Sequence, residues 1–159
     1  MSIMTDSGRV AMAIAIAARP MHLAWGRGLP AWDAQPEPPP VAAIALVDEI
    51  GRRLVDEVAF VVEAADGEIA IPAGRFARSV APTRNLYVRV AFDFADAAAE
   101  EVREIGLFVD SAMVEGLPPG QRYFAPTDLS SPGVLFQLER LRIIRSPAVR
   151  QSFELLVTI

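Results

Sequence analysis

The sequence predicts an α+β domain, with two N-terminal helices packed on a predominantly antiparallel β-sheet or sandwich. Three observations predict it. An alanine-rich run follows helix-capping residues near the front, and residues 42–54 carry apolar side chains at helical spacing. From residue 57 onward the chain turns to short apolar runs separated by Pro/Gly turns. Helical periods first and period-two runs afterwards place the helices at one end of an antiparallel meander.

Thr5-Asp6-Ser7 offers N-cap side chains before the alanine-rich run, so the first helix is expected from about residue 6 to 18. Pro20 forces Arg19 out of helical geometry and ends it. Met21 to Trp25 reads as a strand, stopped by Gly26-Arg27-Gly28. Residues 29–40 form a proline-rich loop that ends Pro36-Glu37-Pro38-Pro39-Pro40. Such a run is stiff and extended, and therefore costs little entropy to order. It reads either as a surface connector or as a strip that docks a partner.

Ala42 to Leu54 is expected to be the second helix. Ile44, Val47 and Leu54 share one face, and Asp48–Arg52 and Glu49–Arg53 stand at i,i+4, the spacing that pairs charges on a helix. Val58 to Glu63 and Glu68 to Ile71 form a hairpin around the Ala65–Glu68 turn. Leu86 to Phe94 alternates, with Leu86, Val88, Val90, Phe92 and Phe94 on one face and Tyr87, Arg89 and Asp93 on the other. Val102 to Val109 is a strand with Gly106 at its centre. Glycine weakens a strand interior, so Gly106 marks a bulge or a close approach. Arg122 to Phe124, Val134 to Ile144 and Ser152 to Ile159 supply the last strands.

The 159 residues suit one domain with a real core. A formal charge of −5 argues against a nucleic-acid binder that relies on a basic surface. All fifteen basic residues are arginine. Cysteine is absent, which excludes disulfides, thiolate metal sites and cysteine nucleophiles. The apolar run Val10–Ala18 is too short to span a bilayer, and it lacks the basic start of a signal peptide. No membrane insertion is expected.

No catalytic constellation emerges. His22 is the only histidine and sits between apolar residues, without an evident nucleophile partner. Neither metal-ligand spacing nor a phosphate or dinucleotide loop is found. The expectation is therefore a protein without enzyme activity, with no catalytic, metal or cofactor site.

Four fragments, in order, resemble the N-terminal, baseplate-anchoring domain of phage tail-collar and tail-fibre proteins. Met4-Thr5-Asp6-Ser7-Gly8 is similar to that family's opening before an alanine-rich helix. Leu23-Ala24-Trp25-Gly26-Arg27-Gly28 is similar to its strand and glycine turn. Ile44 to Arg52 is similar to its Thr-x-Leu-x-x-Glu-x-x-Arg helix, and Arg103-Glu104-Ile105-Gly106-Leu107-Phe108 to its most recognisable strand. Asp6 and Arg27 depart from the pattern, where asparagine and aspartate are usual.

The resemblance implies a single tail-fibre-anchor-like domain over residues 1–159. It implies a virion structural protein of the tail tip or baseplate, an adaptor that attaches tail fibres. The implied partners are other tail and baseplate proteins and the fibres, with copies of the chain forming a homo-oligomer around a symmetric tail. The protein would be made in the host cytoplasm and reside in the phage tail. The interface candidates are Trp25, Arg27, Trp32, Pro38, Arg122 and Tyr123, since aromatic and arginine side chains anchor interfaces; core packing is the competing reading for Trp25. The alternative function is a carbohydrate-binding β domain for host recognition, with Trp32 and Tyr123 stacking on sugar rings.

Overall fold

The computed structural model describes all 159 residues. It contains one α-helix and twelve strands: α1 (Asp6–Ala17), β1 (Met21–Gly26), β2 (Glu49–Leu54), β3 (Glu57–Glu63), β4 (Ile69–Ile71), β5 (Gly74–Arg78), β6 (Asn85–Phe92), β7 (Glu101–Val109), β8 (Ala112–Met113), β9 (Tyr123–Phe124), β10 (Leu129–Ser131), β11 (Val134–Ile144) and β12 (Gln151–Thr158). Two 3-10 turns, Pro30–Asp33 and Pro126–Asp128, interrupt the loops. The chain divides into two compact units.

The first unit comprises residues 1–19, 55–91 and 152–159. Its sheet has the order β12-β6-β3-β5-β4. Val61, Ile69, Phe76 and Tyr87 form its core, with Ala59, Ile71 and Leu156 packed against them. Helix α1 begins where the capping residues place it, with the Thr5 hydroxyl accepting from the Gly8 amide at 3.1 Å. Only Ala13 of this helix is buried.

The second unit comprises residues 20–54 and 92–151. Its main sheet has the order β11-β7-β1-β2-β9, and β8 and β10 form a separate ladder. Strand β7 lies between β1 and β11 and is buried from Val102 to Val109. One face of the sheet carries Leu23, Trp25, Ile105 and Leu107, all buried. The indole of Trp25 stacks on Phe92 with ring centroids 3.6 Å apart. The other face carries a row in register across three strands: Ala24, Gly106 and Leu138. Ala24 and Gly106 leave a shallow trough there. Leu46, from the loop before β2, fills it together with Phe108, Leu135 and Leu138.

That trough explains Gly106. A Cβ at this position would stand 2.8 Å from Leu135 Cδ1 and 2.9 Å from Leu46 Cδ2. Of the two readings a strand glycine allows, the structure shows the close approach.

The expected two-helix α+β fold is overturned. The protein has one short helix and is mainly strand. The second helix, expected over Ala42–Leu54, is a loop followed by β2. Asp48 adopts a left-handed backbone with φ of 55°, which interrupts any helix. Residues 49–54 then gain a ladder against β1, from His22↔Leu54 to Gly26↔Glu49, with one register shift at Ile50. Tertiary pairing outweighs the local periodicity, because propensity is a weak prior. The expected i,i+4 charge pairs are replaced. Arg52 forks onto Glu49 at 2.8 and 2.7 Å, Arg53 reaches Asp96 at 2.7 Å, and Asp48 accepts from Arg27 at 3.0 Å. Strand β5, which pairs with both β3 and β4, has no counterpart in the sequence reading. Phe94 lies beyond β6 and is exposed, and Tyr87 is buried.

The buried polar groups of the second unit include three arginines with several partners each, Arg52, Arg103 and Arg145. Arg52, 1% exposed, also donates to Ser111 Oγ and the Pro132 carbonyl, both at 2.7 Å, and its guanidinium lies 4.0 Å from the Phe108 ring centroid. Arg145 donates to the carbonyls of Asp93, Asp96 and Val149. His22 is buried beside Phe124, and burial followed by the Arg52 and Arg122 charges lowers its pKa to about 4.

Gly106→Ala is expected to lower unfolding free energy by about 1–2 kcal/mol, and Gly106→Val by about 3 kcal/mol, through overpacking. Denaturant melts measure both. In a double-mutant cycle, Leu46→Ala should relieve part of the Gly106→Val cost. Strict additivity would contradict the trough.

Candidate partner-docking surface

The proline-rich arm is a largely exposed connection of the second unit, and its root is built from the turn after β1. Gly28 has φ of +60°, a region that costs glycine little. A Cβ there would collide with the Trp32 ring. The Arg27 and Gly28 amides donate to the carbonyls of Asp48 and Val47, both at 3.0 Å. The turn is thus tied to the far end of the arm. Beyond it, Pro30 opens the 3-10 turn that carries Trp32 and Asp33.

Two arginines hold this turn to the sheet. Arg103, on β7, forks onto the Asp33 carboxylate through Nε at 3.0 Å and Nη2 at 2.9 Å. It also donates to the Arg27 carbonyl at 3.1 Å and pairs with Glu101. The Arg103 guanidinium beside it holds the Asp33 carboxyl below the usual range. Arg140, on β11, lies over the Trp32 ring with its guanidinium carbon 3.7 Å from the centroid. The same side chain donates to the Glu37 carbonyl at 2.7 Å. Such forked and stacked contacts suit the planar guanidinium and would be poorly replaced by lysine.

The far end of the arm is fixed differently. Leu46 occupies the trough over Gly106, and the Val47 amide donates to the buried Glu104 carboxylate. Burial raises the Glu104 pKa, partly offset by this bond and by Arg140. Between these ends Pro36 to Val41 is exposed, as is Ile44 at 84%. Val134 and Phe136, on edge strand β11, are also exposed. Pro39, Pro40, Val41 and Ala43 border a groove against residues 135–138 of β11, of about 250 Å³. An apolar strip along a sheet edge is the kind of surface that a partner covers.

A family model described as "Baseplate wedge 3 tail fiber network component" matches residues 1–159. The protein belongs to this family. No curated protein matches the sequence. The chain is therefore a structural component of the phage baseplate and tail-fibre network, located in the virion tail.

The six sequence-predicted residues of this baseplate component fall into two groups. Arg27, Trp32 and Pro38 belong to the arm and its root. Arg27 forks onto Glu100 at 2.8 and 2.6 Å and reaches Asp48, while Pro38 is exposed. Trp32 is 8% exposed, so it supports the arm from beneath. Trp25 and Tyr123 meet in the core, where the Trp25 indole donates to the Tyr123 hydroxyl at 3.0 Å. Arg122 lies beside Tyr123 and donates to the Leu54 carbonyl at 3.3 Å. The sequence reading missed Arg103, Asp33, Arg140 and Val41. No sequence signal joins them, since Arg140 and Arg142 reach Glu37 and Asp33 only through the fold.

The Asp33 pKa is lowered in the folded protein, so the pair contributes stability above the ordinary carboxylate pKa of about 4 and loses it as pH falls through the lowered value. Asp33→Asn is expected to open the arm at neutral pH. Limited proteolysis should cut within residues 34–45 faster in the variant than in the native chain. In the native chain, faster cutting should appear only below the usual carboxylate range. Equal rates at neutral pH would remove the staple from the account.

Proposed function

We propose that this baseplate component is an adaptor that attaches tail fibres, with the proline-rich arm and the exposed edge of β11 as the fibre-docking side. The observation that carries this reading is the arm itself. Its ends are pinned by Arg103–Asp33 and by Leu46, while Pro38, Val41 and Ile44 between them remain exposed. A stiff, pre-positioned strip loses little entropy on binding. Family membership supports the setting, since the matched description names both the baseplate wedge and the tail fibre network. Several copies arranged by the tail's symmetry would present several arms, each with its own fibre contact.

The sugar-binding alternative draws no support from Trp32, whose ring is buried beneath Arg140.

Phage carrying Val41→Asp and Ile44→Asp in this chain should assemble baseplates but lose fibres, as seen by electron microscopy of purified particles. Fibre occupancy equal to that of the parent phage would overturn the docking assignment. A deletion of the whole chain that leaves fibres in place would overturn the adaptor role.

A further inference from the structure

The groove between the arm and β11 is walled by residues 39–41 and 43 on one side and by Leu135, Phe136, Gln137 and Leu138 on the other. These last four are consecutive. Neighbouring residues of a strand point to opposite faces of its sheet, so a cavity that touches all four lies along the edge of β11. Strand β11 ends its sheet, with β7 on one side only. An edge strand turns alternate N–H and C=O groups away from its neighbour. No backbone bond beyond the β7 ladder engages residues 134–144.

The arm is poorly equipped to satisfy those groups. Pro36, Pro38, Pro39 and Pro40 have no N–H to donate. The one backbone bond made by residues 39–43 is internal, from the Ala43 amide to the Pro40 carbonyl. The arm therefore stands beside the edge without pairing with it, and a space of about 250 Å³ remains between them. Of the eight lining residues only Gln137 has a polar side chain, and none is charged. The polar groups the groove offers are thus main-chain groups and one neutral amide. A main-chain partner matches them, and a charged side chain would find no counter-ion in the lining. The equivalent edge of a second copy carries its own arm, so two such edges meet proline against proline. A register shift between Leu135 and Gln137 keeps the regular run short. A short run suffices in this fold, where β9 joins β2 through two residue pairs.

Resting on the adaptor reading, we propose that the fibre supplies a short, extended and uncharged segment that enters this groove and pairs with β11 as an added strand. Main-chain bonds hold the segment, and its alternate side chains meet the apolar walls and set its identity. The proline arm keeps whole sheet edges out while leaving room for a single strand.

The test uses the full chain, with overlapping short peptides that cover the fibre protein of the same phage as probes. Peptides that share one segment without charged residues should bind, and binding should slow amide exchange within residues 135–138. In a strand, alternate amides face the same neighbour. Esters replacing one alternate set of the segment's amides should therefore weaken binding about tenfold, and esters in the intervening set should weaken it less. The absence of any binding fibre peptide would overturn the proposal and leave the arm as a guard of the edge. Equal costs from both ester sets would overturn it, as would a binding segment that depends on charged side chains. Self-association of the free chain that the segment displaces would give the groove to a second copy and overturn it too. The two readings fail separately. A silent peptide set with fibres still lost from the Val41/Ile44 variant removes only strand addition, and a bound segment with fibres retained in the deletion phage removes only the adaptor.

Discussion

The contact of Leu46 with the Ala24–Gly106 row is the constraint on which the functional side of this protein depends. A larger side chain at either position of that row would lift Leu46 from the sheet. The Val47 amide would then leave Glu104, and the buried carboxylate would lose its backbone donor. The same segment supplies the carbonyls that close the turn at Arg27 and Gly28. One missing Cβ on β7 therefore fixes the far end of the proline-rich arm and helps to close the turn from which the arm begins. Close-packed interiors transmit such local demands efficiently.

Arginine supplies the second layer of order. Arg52, Arg103, Arg140 and Arg145 each join segments distant in sequence, mostly through carboxylates or carbonyls. Arg52 and Arg145 are nearly inaccessible. Their removal would leave unpaired carbonyls and, for Arg52, the Glu49 carboxylate, a more expensive outcome than the loss of an exposed pair. The absence of lysine is therefore compatible with a structure that relies on forked and stacked cations. The same chemistry recurs at the surface, where Arg142 is the least engaged member of the set.

The strands of this fold were legible in the sequence to differing degrees. The runs at Met21–Trp25, Val58–Glu63, Val102–Val109 and Val134–Ile144 appear as β1, β3, β7 and β11. Their apolar content and flanking turns are local properties. The segment 42–54 was misread because its helical spacing is also local, whereas its true state depends on pairing with β1 and on a left-handed Asp48. Gly106 announced a close approach, but nothing in the sequence identified Leu46 as the neighbour. At the docking side, the proline run was visible and its anchors were not. Trp32 was chosen for exposure, and only the stacking of Arg140 reveals it as a support. Asp33 and Arg103 are seventy residues apart, so their pairing is a property of the fold. The resemblance to phage tail proteins rests on short motifs, one of which is a strand where a helix is expected, and the family match over residues 1–159 agrees with it at the level of a phage baseplate protein.

A stiff arm pinned at both ends and exposed between them is the central claim for this baseplate component. Hydrogen–deuterium exchange on the free chain and on the chain within purified baseplates carrying fibres tests it most directly. In the free chain, the amides of β7 and of Val47 should be slow and those of residues 36–45 fast. In the assembled tail, protection should be gained by the arm and by the β11 edge. Fast exchange of the arm in both states, with new protection confined to segments outside residues 34–45 and 134–144, would contradict the account.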